Sequence, residues 1–248
     1  MRLPMMIQST KRSSAARPHG EYKRQLLDEI VALKPATLLD VGCGTGDLLV
    51  AAREAGIART VGIEPETQAC VRARSRGLDV ISCRAEALPF EDRSFDVVTL
   101  DYVAHHTENL PRALREASRV ARCAVLILDC WFDDTLASQR VARRYDNWLK
   151  RRDRKSGYVH NACPTAIELI SMFAAEEFSI DYFCRLILSP LDVAEVERSA
   201  RGLLENDDDP IGRLELEGIL DDARRDGISD DGCIVARFLR DGEAADTA

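Results

Sequence analysis

No stretch of the 248-residue chain approaches the roughly 18 consecutive apolar residues of a membrane helix, so no membrane span is expected. The start holds only the run Leu3 to Ile7, broken by Pro4, which is too short for the core of a secretory leader; a cytoplasmic location is the expectation. None of the eight cysteines, at 43, 70, 83, 123, 130, 163, 184 and 233, forms a C-x-x-C pair. That argues against a zinc site or a disulfide framework and for free buried thiols in a reducing compartment, with no metal expected. Positive charge is in deficit: 34 basic against 42 acidic residues give −8. A general nucleic-acid coat is thereby excluded, a local basic patch is not, and nothing sets an oligomeric state. Repeats and low-complexity blocks are absent, whereas 46% hydrophobic residues suffice for a core.

Residues 1–18 carry four basic residues and no acid, and read as a flexible arm. Tyr22, Leu26, Ile30 and Leu33 then recur at helical spacing up to Pro35. Apolar strand-like runs follow at Thr37–Val41, Thr60–Ile63, Leu78–Cys83, Phe95–Leu100 and Ala124–Leu128. Helical stretches at Asp47–Ala55, Thr67–Ser75 and Leu110–Ala121 fall among them. This alternation predicts an α/β fold: right-handed crossovers and a parallel sheet covered on both faces. Farther on, helices are predicted over Asp134–Arg152, Ala166–Ala175 with Pro164 in its first turn, Leu191–Leu204 and Leu214–Arg225. Strands are predicted at Ser179–Leu188 and Cys233–Leu239, an acidic loop at Asp207 to Pro210, and a frayed tail at 241–248.

The chemistry concentrates after the first strand. Gly42-Cys43-Gly44-Thr45-Gly46 follows a strand and opens a helix, the setting in which glycines let a ligand approach the backbone. A phosphate-cradling loop would need G-x-x-x-x-G-K-[ST], which is absent. The dinucleotide fingerprint fails at Asp47, an acid poorly placed beside a pyrophosphate. A nucleoside ligand without phosphates is left. Glu64 ends the second strand and can accept hydrogen bonds from both ribose hydroxyls.

These residues resemble a known family. Leu38 to Gly46 is similar to the first motif of class I S-adenosylmethionine-dependent methyltransferases, and Val61-Gly62-Ile63-Glu64-Pro65 to their second. Ala85-Glu86-Ala87-Leu88-Pro89-Phe90 and Ser94-Phe95-Asp96-Val97-Val98 resemble the third and fourth motifs of the type 11, small-molecule branch. The resemblance implies a Rossmann-like, mostly parallel seven-stranded sheet with the last strand antiparallel and a helical insertion before it. It implies one methyltransferase domain over 19–240, with a cofactor half at 36–130 and substrate-covering elements at 131–232. S-adenosyl-L-methionine would be the cofactor. Gly42, Cys43, Gly44 and Gly46 would pass beneath it, Asp40 would orient that loop or bind the amino group through water, and Glu64 and Pro65 would hold ribose and adenine. Ala85 and Glu86 would line the adenine pocket, and Asp101 and Tyr102 the methionine end. Arg84 stands where many members carry an acid that reads the adenine amino group, and Val120-Ala121-Arg122-Cys123, read as a tighter turn, replaces their Pro-Gly-Gly turn.

Methyl transfer needs a positioned nucleophile and only sometimes a base. His105 and His106, beyond the end of the fourth strand, are the candidate bases, against a structural reading as loop or helix-cap residues. Asp129, at the end of the fifth strand, is a candidate for substrate contact against a helix-capping reading, and His160-Asn161, in a loop between helices, is a second candidate. Arg140–Lys155 holds eight basic residues and Asp192–Asp231 fourteen acids. Pairing of these two segments competes with recruitment of an anionic partner. Small-molecule methylation is the leading reading. A non-catalytic cofactor-binding protein, an RNA or protein methyltransferase using the basic segment, and a dehydrogenase are the alternatives.

Overall fold

The computed structural model describes residues 18–186, 189–205 and 209–242. Its first half is a regular alternation: α1 (Pro18–Ala32), β1 (Thr37–Val41), α2 (Asp47–Glu54), β2 (Arg59–Ile63), α3 (Thr67–Ser75), β3 (Val80–Ile81), β4 (Phe95–Asp101), α4 (Leu110–Val120) and β5 (Ala121–Trp131). Then come α5 (Ala137–Lys155), α6 (Ala166–Ala174), β6 (Phe178–Leu186), α7 (Val193–Leu203), α8 (Pro210–Asp226) and β7 (Gly232–Arg240). The strands form one sheet in the order β3-β2-β1-β4-β5-β7-β6, with β7 antiparallel to both its neighbours. The expected seven-stranded α/β sheet is thus present, and its order places the carboxyl ends of β1 and β4 side by side, where the chain direction of crossovers reverses and ligands bind.

Strand periodicity explains both layers. Side chains alternate across a strand, so Leu39, Val98, Val125 and Ile127 face one core with Ala113 and Leu114 of α4 and Leu169 and Phe173 of α6. Leu38, Val97, Ala124, Leu126 and Leu128 face the other, against Tyr22, Leu26 and Ile30 of α1 and Leu48 and Ala52 of α2. A third core lies off the sheet. There Trp148 of α5 packs with Val196 and Ala200 of α7 and Leu216, Ile219 and Leu220 of α8.

Several boundaries differ from the sequence reading. β3 contracts to two residues because only Val80 and Ile81 find ladder partners, on β2. The turn expected at Val120–Cys123 does not form; Ala121 caps α4 and is already the first residue of β5. α8 starts at Pro210 rather than Leu214, since the Asp209 carboxylate accepts the Gly212 N–H at 2.9 Å and proline suits a first helical position. Pro164 precedes α6 instead of entering it; Thr165 and Glu168 close a capping box there. Pro18 begins α1, while the rest of the expected arm, the acidic-loop residues Asp207 and Asp208, and tail residues 243–248 lie outside the described residues.

Candidate active site

The glycine loop leaves β1 and is fixed by its own neighbours. Gly42 has φ +74°, and a Cβ there would lie 2.3 Å from Val103 Cγ2, so the β4 loop packs directly on bare backbone. Gly44 has φ +54° but nothing within 4 Å of its Cβ position. Open space over a left-handed residue is what a ligand crossing the loop requires. The Gly44 N–H donates to Glu64 Oε2 at 2.9 Å, and the Glu66 N–H to Glu64 Oε1 at 2.8 Å. Each carboxylate oxygen keeps a second lone pair, so Glu64 can still accept from a diol. Asp47 opens α2 and pairs with Arg76 at 2.6 Å, keeping negative charge at the helix end where a pyrophosphate would need to sit.

Two adjoining clefts flank this loop. One is lined by Asp40, Gly42, Gly44, Lys23 and Asp101. Asp40 is buried and accepts the Thr99 hydroxyl at 2.9 Å, and Lys23 of α1 lies 3.1 Å from Asp101 Oδ2. Burial, and then the Asp101 charge, push the Asp40 carboxyl up to about 8. This cleft therefore suits a cationic group. The other is lined by Glu64, Pro65, Ala85, Glu86, Tyr102 and His106, among others. Arg84 rims it, within 3.8 Å of Glu86 and 2.8 Å of Glu108, so its charge is partly offset where many relatives of the resembled family have an acid. Tyr102 borders the cleft in a left-handed conformation, φ 57°, but its hydroxyl turns away to Cys233 Sγ at 3.4 Å. Cys43 is buried, with its thiol turned toward the Gly62 backbone.

The histidines gather on one side. A short 3-10 turn, Ala104–His106, follows β4. His105 is buried and its Nδ1 lies 2.5 Å from Asp129 Oδ1. Asp129 itself is fully buried, so it meets the cleft only through His105. His106 Nδ1 lies 2.9 Å from the Val159 carbonyl. A carbonyl only accepts, so Nδ1 carries the proton and Nε2 keeps its lone pair. Burial lowers His106 from the ordinary imidazole range, so it is neutral near pH 7. His160 stacks on His106 with centroids 4.6 Å apart and is held by Asp153 at 2.5 Å. Asn161 N–H donates to the His105 carbonyl at 2.7 Å and its side chain to the Thr107 carbonyl at 2.8 Å. The loop between α5 and α6 is therefore tied to the histidine pair.

Sequence spacing missed two residues here. Val159 lies more than fifty residues from the histidine it holds, and Lys150, buried in α5, gave no periodic signal distinct from its basic neighbours. Those neighbours mostly pair: Arg144 with Asp222, Arg151 with Glu215 and Lys155 with Asp209. The basic segment meets the acidic one, which removes much of the charge that an anionic macromolecule would need. Of the expected buried thiols, Cys43, Cys70 and Cys233 are buried, whereas Cys83, Cys123, Cys130 and Cys163 are only partly so.

Comparison with known proteins agrees with the fold and the motifs. Residues 39–126 match the family model described as "Methyltransferase domain". The chain is 32% identical over 141 residues to the 2-phytyl-1,4-naphtoquinone methyltransferase of Thermosynechococcus vestitus, covering 53% of this chain and 63% of that one. It is 36% identical over 103 residues to a Bos taurus protein named as a tRNA methyltransferase, covering 41% and 21%. The chain spans from about a fifth to under two thirds of such relatives. The structure superposes on geranyl diphosphate methyltransferase with a TM-score of 0.59 at 15% identity, covering 89% of this chain and 78% of that one. The fold is the Rossmann-like fold of class I methyltransferases, and the resemblance carried by residues 38–98 is to that family.

Proposed function

We propose that this chain, a relative of the class I S-adenosylmethionine-dependent methyltransferases, transfers a methyl group from S-adenosyl-L-methionine to a small-molecule acceptor. The observation that carries the reading is the open face of Gly44, set beside a Glu64 carboxylate that already grips the same loop. The residues fit the cofactor. Glu64 takes the ribose, Pro65, Ala85 and Glu86 border the adenine, and Asp40 with Asp101 receives the cationic amino-acid end. Gly42, Cys43 and Gly46 shape the loop, and Tyr102 bounds the cleft. When bound, S-adenosylmethionine supplies an electrophilic methyl group on a charged sulfur. The chain's part is to hold the acceptor in line, exclude water, and take the acceptor's proton on His106 Nε2. His105, pinned by Asp129, supports that histidine from below, and His160 walls the acceptor side. Quinone-type acceptors, as named for the Thermosynechococcus vestitus relative, are the first class to try.

Release of S-adenosylhomocysteine across an acceptor panel tests the activity. Calorimetry tests the cofactor site separately. Glu64→Ala should weaken S-adenosylmethionine binding by about 1.5–3 kcal/mol, because it deletes charged hydrogen bonds. That is roughly tenfold to a hundredfold in Kd. Unchanged affinity would remove Glu64 from the ribose role, and binding without turnover on any acceptor would favour a sensor of the cofactor.

The Asp40 carboxyl gives a pH signature. Held near 8, it is largely protonated at pH 6 and ionises as pH rises. A cationic ligand prefers the ionised form, so its affinity should increase from pH 6 toward 8 and then level off, by at most about tenfold per pH unit. Asp40→Asn should flatten the profile. A wild-type profile already flat over this range would show that the ligand's cation does not sense Asp40.

A further inference from the structure

Four side chains that sequence spacing does not connect meet beneath the histidine pair. His105 comes from the turn after β4, Asp129 and Cys130 from the end of β5, and Cys163 from the loop before α6. One donor atom from each lies within 4.8 Å of all the others. Tetrahedral zinc, with bonds of about 2.0–2.3 Å, sets its ligand atoms roughly 3.3–3.8 Å apart, within the span of this cluster, with the 2.5 Å His105–Asp129 contact opening to admit the ion. Asp129 holds His105 and the Cys130 N–H on Oδ1, at 2.5 and 2.7 Å, while its buried Oδ2 has no hydrogen-bond partner. A fully buried carboxylate oxygen left unpaired costs folding free energy, and a cation would satisfy it. Lys150, also buried, brings its ammonium 2.8 Å from Cys163 Sγ and 2.8 Å from Asp146.

We propose that His105, Asp129, Cys130 and Cys163 form a closed four-ligand site for zinc. Two sulfurs, an imidazole and a carboxylate are a donor set for a borderline-soft dication rather than for calcium or magnesium. Two thiolates and a carboxylate against a dication leave one negative charge, beside which Lys150 donates to Cys163. With four protein ligands the site is structural, not a Lewis acid for the acceptor. It fastens the ends of β4 and β5 to the covering loop that carries Val159, His160 and Asn161, and so fixes the depth of the acceptor pocket. This reverses the expectation of no metal. It does not depend on the acceptor or on turnover.

The test uses the full chain produced in zinc-supplemented medium under reducing conditions. Elemental mass spectrometry should find one zinc per chain, with Cys130→Ser and Cys163→Ser each losing most of it and Cys83→Ser retaining it. Should the serine variants fail to fold, cobalt(II) loaded into the wild-type chain provides the second reading, through a thiolate-to-cobalt charge-transfer band that zinc displaces. Wild-type protein with no zinc and no such band overturns the site. So does metal that survives both serine substitutions, or an intact mass showing a Cys130–Cys163 disulfide in its place.

Discussion

Replacing His106 by alanine should lower kcat about 10²–10⁴-fold while S-adenosylmethionine affinity stays nearly unchanged. Three features set that expectation. The Val159 carbonyl fixes the proton on Nδ1, leaving Nε2 as the basic nitrogen of a side chain lining the cleft. Burial holds the imidazole below its ordinary 6.5, so the base form dominates at neutrality. The proposed cofactor contacts, on Gly44 and Glu64, belong to the β1 and β2 ends, where the two residues hold each other. For a base that must be unprotonated, activity should fall only on the acid side, below pH 6.5. His106→Ala should abolish that acid limb along with the rate. An intact kcat with a loosened fold would assign His106 to the loop alone, the structural reading that its stacking on His160 also permits.

The second large effect is on stability. Trp148 is 1% exposed, stacks on Tyr145 with centroids 5.9 Å apart, and donates its indole N–H to the Gly212 carbonyl at 2.9 Å. Trp148→Ala removes a large side chain from the α5, α7 and α8 core and one of the donors to the Gly212 carbonyl. The expected cost is about 3–5 kcal/mol. Denaturant unfolding would measure it. Trp148→Phe, which keeps most of the packing and loses the hydrogen bond, should recover the larger part. A loss under about 1 kcal/mol for the alanine variant would mean that the core relaxes around the gap.

The first half of the sheet is legible in the sequence because its constraints are local. A glycine loop between a strand and a helix, and an acid at the next strand end, all fall within thirty residues of chain. β1 and β2 match their predicted cores, since buried parallel strands read as short apolar runs bounded by glycine and proline. β3 was overestimated for the same reason run backwards: Leu78 and Cys83 are apolar but pack without ladder bonds. The acceptor side was not legible. The sequence offers His106, but its proton position depends on Val159, and it offers Asp129 for substrate contact where the fold buries that acid against His105. Contacts that join residues 105, 129 and 163 leave no periodicity to read. The reach of Arg144 and Arg151 to α8 was anticipated only as one of two uses for a basic helix.

The off-sheet core of α5, α7 and α8 has a consequence for how the chain comes apart. Its residues are distinct from those of the two layers that flank the strands. Substitutions there act on separate contacts, so this module can loosen while the sheet and the glycine loop keep their packing.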